Sequence, residues 1–418
     1  MLENHVTKQE ALGRIKAEWK PEPGVEEIPL EQACGRILAH DYYAAYSIPV
    51  VRASGMDGIA VSFDMLQDGI PDTSRWVEGK EYVRADTGDD FPDEYDTVLP
   101  VEWITFPEDG KAGITIEPKE MPGPDKNNAL RRGMNVRTAG SLIRKGTMLA
   151  PAGTEITPLD IGELATGGHG TVSVIRKPRI AFIATGTELT APGNELQRGQ
   201  NFEANSYVAK AMLEIMGAEV TAAPAVKDDK ALLETTVQKA VDENDIVLIS
   251  GGSSKGAEDF NWDIINRKGK QLFRWVKAAP GRPMSAAVIN GKLVVNLAGP
   301  KLGAYHGIEW CVKEAISLWY TGEYGNVAWG TPVKAALGVD MPGIPLSAIV
   351  KMKVSDGIAV PVSGPGVKPE DALQDWETNA FYITDPSCAP PRKGDIIDLK
   401  LVRKASQLKT ADSRSMTL

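Results

Sequence analysis

Two continuous apolar runs limit the folds open to this chain more than any other feature. RIAFIA occupies residues 179–184 and IVLIS occupies residues 246–250, and neither alternates as a strand with one wet face would. Such runs are typical of strands that helices cover on both faces. The other elements predicted around them are amphipathic helices near 205–216, at 230–243 and at 304–320, and a hairpin that turns at Asn290-Gly291. A three-layer α/β domain is therefore predicted over 178–325.

The remainder of the chain predicts smaller elements. Thr7 and Glu10 have the spacing of a capping box, which predicts a helix over 8–19, and a second short helix is expected around 30–39. The region 41–140 is rich in Gly, Pro and Asp with short β-type runs, so it is predicted to be mostly β. Short strands separated by Gly and Pro predict a small barrel or sandwich at about 327–404, before a polar tail.

Composition excludes several classes of function. A formal net charge of -10 disfavours broad binding to nucleic acid or to an anionic membrane, although a local basic pocket can still hold a phosphate. Three cysteines and four histidines lie without metal-ligand spacing, which counts against structural zinc and a disulfide scaffold. No stretch approaches the roughly 20 apolar residues that cross a bilayer, and no secretory leader is recognisable, so a cytoplasmic location is expected.

Polar loops follow both buried runs, at the sheet edge where α/β proteins bind ligands. Glycines there let a backbone approach a phosphate, and hydroxyl and amide groups donate to its oxygens. A third loop, Ala279-Pro280-Gly281-Arg282-Pro283, places the guanidinium of Arg282 on a short rigid segment. The candidate binding residues are Thr185, Gly186, Ser250, Gly251, Gly252, Ser253, Lys255, Pro280, Gly281 and Arg282. Together they predict an anion pocket bordered by carboxylates.

The same residues have a simpler interpretation. Gly and Ser after a strand are commonly turn residues, and Glu188, Asp228 and Asp259 can cap helices without any ligand. The loops match neither the Walker motif nor the dinucleotide-binding glycine pattern. Carboxylates beside a phosphate nevertheless suit Mg²⁺, which prefers oxygen ligands and is shared between carboxylates and substrate phosphates.

An ordered series of motifs resembles the molybdopterin molybdotransferases, the MoeA family, to which the E domain of gephyrin also belongs. The resemblance covers about residues 5–404. Its motifs, in chain order, are Ser54-Gly55-Met56-Asp57-Gly58-Ile59-Ala60, Ala85-Asp86-Thr87-Gly88, Asn135-Val136-Arg137 with Gly140, Pro178-Arg179, Thr185–Leu189, Asn205, Asp228-Asp229, Ser250–Asp259 and Pro280-Gly281-Arg282-Pro283.

This resemblance implies a multidomain chain of mixed α/β and β structure. Its segments would be a discontinuous linking domain (1–40 and 141–177), an inserted mostly-β domain (41–140), the α/β molybdopterin-binding domain (178–325), a C-terminal β-barrel (326–404) and the polar tail (405–418). It also implies a homodimer whose active site lies between the α/β domain of one subunit and the inserted region of the other.

The implied reaction is insertion of molybdate into adenylylated molybdopterin, with Mg²⁺-assisted hydrolysis of the adenylate and release of AMP. The substrates are therefore small molecules, and the product would pass to molybdoenzymes or their chaperones. By resemblance, Asp57, Glu188 and Asp259 handle Mg²⁺ and the adenylate, and Asp228 supports them. Thr87 and the 250–256 loop would position phosphate or pterin, and Arg282 would hold the oxyanion.

The chain departs from the family pattern at a few positions. Ser141 stands where relatives usually carry an acidic residue, Ala279 where they carry lysine, and Ala298-Gly299-Pro300-Lys301 where they carry P-G-N-P. Lys277 and Lys301 are candidates to supply the missing cation. Two alternatives follow: a divergent, non-catalytic paralogue that serves as cofactor carrier or assembly scaffold, and a tungstate-selective homologue.

Overall fold

The two apolar runs form central strands of a six-stranded sheet in the computed structural model, which describes residues 5–107, 113–119, 130–251, 260–327, 330–364, 367, 373 and 375–403. The strands are β1 (Arg179–Ala184), β2 (Glu219–Ala222), β3 (Ile246–Ser250), β4 (Lys270–Arg274), β5 (Ser285–Ile289) and β6 (Lys292–Leu297). Their order is β2-β1-β3-β6-β5-β4. The first four are parallel, and β5 runs antiparallel to both of its neighbours.

Helices cover both faces of this sheet. They are α1 (Lys8–Glu18), α2 (Asn205–Ile215), α3 (Lys230–Glu243), α4 (Phe260–Lys268), α5 (Lys301–Gly307), a π-helical turn (Ile308–Val312) and α6 (Lys313–Thr321). Ala181 and Ile183 join a buried cluster with residues of α3 and α4. Ile180 and Phe182 point to the opposite face and are fully buried as well. The predicted three-layer arrangement is therefore confirmed.

Five strands form a closed barrel after the α/β domain. They are β7 (Thr331–Leu337), β8 (Ser347–Ser355), β9 (Ile358–Pro361), β10 (Ala380–Ile383) and β11 (Ile396–Leu401). The order is β8-β9-β7-β11-β10, and β10 pairs with β8 to complete the circle. Leu337, Met352 and Leu399 belong to the core that fills the barrel. Of the two architectures expected here, barrel and sandwich, the structure forms the barrel.

Residues Val25–Ile175 make a second compact unit, and Met1–Gly24 with Arg176–Leu418 make the first. The described residues of the second unit form the α-helix Pro158–Thr166 and short strands: Val25–Pro29, Tyr42–Tyr43, Ala53–Ser54, Gly58–Val61, Tyr82–Ala85, Thr97–Pro100, Ile104–Thr105, Thr115–Ile116, Val136–Arg137, Met148–Ala150 and Thr171–Ile175. One core contains Leu38 and Leu164, and another contains Ile59 and Trp103. The mostly-β character expected of 41–140 is confirmed, while the division of the chain into the domains given above stays a prediction.

The short helix expected around 30–39 is wrong. Only a single 3₁₀ turn, Leu30–Gln32, forms there. Gly35 then takes a φ of +74°, which ends any helical path, and Leu38 bridges to Val174 in extended conformation. Burial of Leu38 within a β-type core outweighs the weak local helical pattern.

Candidate functional site

The ends of β1 and β3 hold each other in place at the carboxyl edge of the sheet. The Thr185 amide donates to the Ser250 carbonyl at 2.8 Å. Gly251 follows with a φ of +118°, and a Cβ at that position would lie 2.1 Å from the Thr185 carbonyl oxygen. Only glycine allows this approach of the two backbones. The two loops therefore form one continuous floor.

A cavity of about 740 Å³ opens on this floor. Its described lining residues are Ala184, Thr185, Gly186, Glu188, Leu189, Asn201, Phe202, Glu203, Ala204, Asn205, Asp228, Ser250, Gly251, Pro283, Gly299, Pro300 and Lys301. Eight of these residues carry polar or charged side chains, and three of the eight are carboxylates. Such a cavity suits an anionic ligand only together with a cation, because carboxylates alone repel negative charge.

The predicted carboxylates Glu188 and Asp228 both line the cavity. Glu188 folds back over Gly186, where a Cβ would lie 2.7 Å from each carboxylate oxygen. Asp228 accepts from the Thr187 amide at 3.1 Å, and the Asp228 amide donates to the Thr187 hydroxyl at the same distance. Asp229, not Asp228, caps α3 by accepting from the Leu232 amide. Asp228 is thus held toward the first loop rather than used as a helix cap.

Asn205 and Glu203 are among the lining residues that the predicted site did not include. Asn205 donates to the Ser250 hydroxyl at 3.0 Å and to the Gly299 carbonyl at 2.6 Å, so it joins loops that follow different strands. Glu203 is buried and accepts from the Ser206 amide at 2.9 Å. Glu203 precedes Ala204, the N-cap residue of α2, and its carboxylate satisfies one of the backbone donors that the first turn of a helix leaves unpaired. The motif series contained Asn205, but local sequence gives no reason to place its side chain between two loops.

The third predicted loop lies between Val276 and Pro283. The Val276 amide donates to the Arg282 carbonyl at 3.0 Å, which closes the loop at its base. Ala278–Ala279 pairs with the start of β8, so the barrel holds the loop from outside. Pro283 lines the cavity, whereas Pro280, Gly281 and the exposed Arg282 are not among its described lining residues.

Asp57 and Thr87 meet within the second unit. Asp57 Oδ1 accepts from the Thr87 amide at 2.7 Å and from the Thr87 hydroxyl at 2.8 Å. These two hydrogen bonds lower the pKa of Asp57 below its ordinary value. The carboxylate is therefore held ionised in one fixed orientation, which suits a group that handles a cation or a proton.

Four predicted residues, Gly252, Ser253, Lys255 and Asp259, lie outside the described residues. Within the described ranges no three His, Cys, Asp or Glu side chains are grouped as a metal site. The carboxylates that are present still match magnesium in their chemistry, since Mg²⁺ commonly takes one or two carboxylates and completes its shell with water and phosphate.

The described helices also include none that is long and apolar enough to cross a membrane.

Known proteins match this chain over nearly its whole length. Residues 6–168 match the MoeA N-terminal region, domains I and II, and residues 181–317 match a probable molybdopterin binding domain. The molybdopterin molybdenumtransferase of Haemophilus influenzae is 30% identical over 67% of this chain and 69% of its own length. The enzyme of the same name from Bacillus subtilis is 28% identical over 97% and 96%.

Solved structures agree on the fold. Two MoeA proteins from Pyrococcus horikoshii superpose with TM-scores of 0.75 and 0.67, at 24% and 23% identity. They cover 96% and 95% of this chain and 100% of their own chains. The ordered motifs, the α/β sheet with its loop-lined cavity and the C-terminal barrel all have the same explanation: this chain belongs to the MoeA family of molybdopterin molybdenumtransferases.

Proposed function

We propose that this protein is an active molybdopterin molybdenumtransferase of molybdenum cofactor biosynthesis. It would insert molybdate into adenylylated molybdopterin and release AMP. The observation that carries the proposal is the cavity at the carboxyl edge of the sheet, where the predicted Glu188, Asp228, Thr185 and Ser250 come together. Family membership supplies the reaction, and the cavity supplies groups suited to it.

The carboxylates would hold magnesium beside the adenylate. Glu188 and Asp259 are its proposed ligands, with Asp57 as a third, and Asp228 keeps the Glu188 loop in place through Thr187. When bound, Mg²⁺ offsets the negative charge of the phosphates. Asp57 is available to orient a water molecule, because its ionised carboxylate is already fixed by Thr87. The dithiolene sulfurs of the substrate, rather than protein thiols, would bind molybdenum.

Cationic side chains would hold the oxyanion. Lys301 lines the cavity, and Arg282 belongs to the loop whose Pro283 lines it as well. These residues offer the charge that Ala279 lacks, and a guanidinium suits an oxyanion because it donates two parallel hydrogen bonds. Lys277, the other candidate, precedes Ala278–Ala279 and is tied to β8 through its carbonyl.

The proposed active form is a homodimer, with Asp57 and Thr87 supplied by one copy and Glu188 by the other. This arrangement is implied by family resemblance. Asp57→Asn and Glu188→Gln variants, each inactive alone, should restore activity when refolded together, because some dimers then hold one intact site. Absence of restoration, or a monomer by light scattering at micromolar concentration, would contradict the shared site.

The function itself is tested with purified protein, adenylylated molybdopterin, Mg²⁺ and molybdate. We expect AMP release that depends on the oxyanion and stops when Mg²⁺ is chelated. Repeating the titration with tungstate separates the tungstate-selective alternative, which would show the lower KM for tungstate. If the oxyanion stimulates no AMP release at any protein concentration, the proposed enzymatic activity is refuted.

A carrier or scaffold role remains the second candidate, favoured by the departures at Ser141, Ala279 and Pro300. Calorimetry distinguishes the two, since a carrier binds finished cofactor but does not turn over its adenylylated precursor. An active enzyme would release its product to a molybdoenzyme or to a chaperone of one, in the cytoplasm.

A further inference from the structure

One histidine holds the third loop from inside the α/β domain. His306, on α5, is 1% exposed, and its Nδ1 lies 2.8 Å from the carbonyl oxygen of Pro280. A carbonyl only accepts, so Nδ1 must carry the proton that makes this hydrogen bond. Burial lowers the pKa of His306, which keeps the ring neutral around pH 7.

The other ring nitrogen of His306 gains no hydrogen bond to offset the loss of its hydration on burial. His306 Nε2 has no hydrogen-bond partner in the described structure. A buried acceptor without a donor destabilises the fold, and a leucine of similar size would avoid that loss. Packing alone therefore does not account for histidine at this position, and the bond to the Pro280 carbonyl does.

The backbone of Pro280 can be fixed by a hydrogen bond only through its carbonyl group. Proline has no N–H group, so its carbonyl is its single backbone hydrogen-bonding group. On the next residue, Gly281 takes a φ of +116°, and a Cβ there would lie 3.3 Å from the Gly303 carbonyl oxygen. Helix α5 thus contacts the loop tip closely, and His306 adds the directional bond.

The two elements joined by this bond both reach the cavity. Lys301 begins α5, and Pro300 precedes it as the N-cap residue. Both line the cavity, as does Pro283, which follows Arg282 in the loop. A change in the separation of α5 and the loop would therefore move two cationic side chains, Lys301 and Arg282, relative to each other. Recognition of a tetrahedral oxyanion depends on that separation.

We propose that His306 is a positioning residue for the oxyanion substrate. Through the Pro280 carbonyl it fixes the Arg282 loop against α5, so that Arg282 and Lys301 are set at the spacing an oxyanion requires. This inference rests on the proposed function. It assigns to His306 no contact with substrate.

The first test compares variants at this position in the AMP-release assay. His306→Leu removes the donor, and we expect the KM for molybdate to rise roughly tenfold with kcat and the affinity for adenylylated molybdopterin changed less than about threefold. His306→Asn keeps an N–H donor and should restore most of the loss. A general structural defect would instead lower kcat and substrate affinity together, and asparagine would not rescue it.

His169→Leu is the matched control. His169 Nε2 also lies 2.8 Å from a backbone carbonyl, that of Tyr43, in the unit formed by Val25–Ile175. The control should leave the KM for molybdate unchanged. An unchanged molybdate KM in His306→Leu, or an equal rise in the control, would overturn the proposal.

The second test does not depend on activity. In protein labelled with ¹⁵N-histidine, the His306 resonances, assigned by their loss in His306→Asn, should show the neutral tautomer protonated on Nδ1 at pH 7 to 8. An Nε2-protonated or doubly protonated ring would overturn the proposal even if His306→Leu fails to fold. If wild type releases no AMP, the proposed function fails, while the tautomer still decides whether the bond to Pro280 exists.

Discussion

Thr87 shows how one side chain can set the state of a catalytic candidate. Its hydroxyl and amide both donate to Asp57 Oδ1 and lower the pKa of that carboxyl. Thr87→Val keeps the amide but removes the hydroxyl, so the pKa of Asp57 should move up toward its ordinary value. We expect kcat/KM for AMP release to fall roughly tenfold, as for other lost supporting partners.

Thr87→Ser supplies the control, since serine retains the hydroxyl and should keep most of the activity. The pH profile of kcat/KM shows in which direction the pKa of Asp57 has moved. A raised pKa of Asp57 means that the carboxylate is lost at higher pH, so the acid limb in Thr87→Val should shift upward. An acid limb identical in Val and Ser variants would show that the hydroxyl does not act on Asp57.

Gly251 supports a second prediction at the residue scale, because it combines a left-handed backbone with a close contact. Gly251→Ala should lower the free energy of unfolding by about 3 kcal/mol, from the positive φ and from the Thr185 carbonyl 2.1 Å from the new Cβ. Gly199→Ala has a φ of +86° with nothing within 4 Å, so it carries only the first cost, about 1 kcal/mol. Urea unfolding of both variants gives the difference. Equal losses would mean that the loops separate readily.

The sequence predicted site residues where a local rule applies, and missed those that depend on contacts between distant loops. Thr185 and Glu188 follow a buried strand and Ser250 ends another, so their position at the carboxyl edge was predictable. The tether from Asn205 to Gly299 joins residues 94 apart, and no local pattern encodes it. The contact of His306 with Pro280 is likewise not encoded locally, and the sequence showed His306 only as one of four histidines without metal-ligand spacing.

At the scale of elements, Asp245 secures the end of the sheet away from the cavity. Its side chain is 4% exposed, and it accepts from Arg176 Nη1 at 2.9 Å and from the Arg179 amide at 2.8 Å. Burial acts to raise the pKa of Asp245, but these donors outweigh it and the pKa lies below its ordinary value. Asp245→Asn leaves the arginines without their anion and should cost about 3 kcal/mol in unfolding free energy.

The pH dependence of that loss follows from the direction of the shift. The folded pKa lies below the unfolded value near 3.8, so the wild type keeps its full advantage above that pH. The advantage declines as pH falls through the folded pKa. Asp242→Asn is the control, because Asp242 is exposed on α3 and accepts only a side-chain bond from Gln238 among the contacts described. Similar losses in the two variants at pH 7 would contradict the role given to Asp245.

Elements with strong periodicity were predictable nearly to the residue. The strands β1 and β3 and the helix α3 have the predicted bounds, and Asn290 and Gly291 take the positive φ values of the predicted hairpin turn between β5 and β6. The buried face of α2 was less predictable, since the apolar Ile215 is 67% exposed while Ala209 and Leu213 are buried. Apolar residues surround that helix on more than one side, so periodicity alone could not choose its buried face.

At the scale of the larger unit, a buried ion pair joins the barrel to the α/β domain. Glu309, in the π-helical turn, is 4% exposed and contacts Lys313 Nζ at 2.9 Å and Lys400 of β11. Burial acts to raise the pKa of Glu309, but the two lysines outweigh it and keep the carboxylate charged. Nothing in the sequence pattern predicted this contact, because its partners are 91 residues apart and lie in different domains.

Because the carboxylate is shared across the two domains, Glu309 and Lys400 should be energetically coupled. In a double-mutant cycle of Glu309→Gln and Lys400→Met, we expect a coupling free energy of about 2 kcal/mol from urea unfolding. The exposed pair Lys334 and Asp398, 3.9 Å apart on the barrel, should give less than about 0.5 kcal/mol in the same measurement. Additive effects at Glu309 and Lys400 would mean that the barrel is held by apolar contacts such as Tyr305 with Phe381, whose ring centroids are 4.7 Å apart, and not by the buried charge.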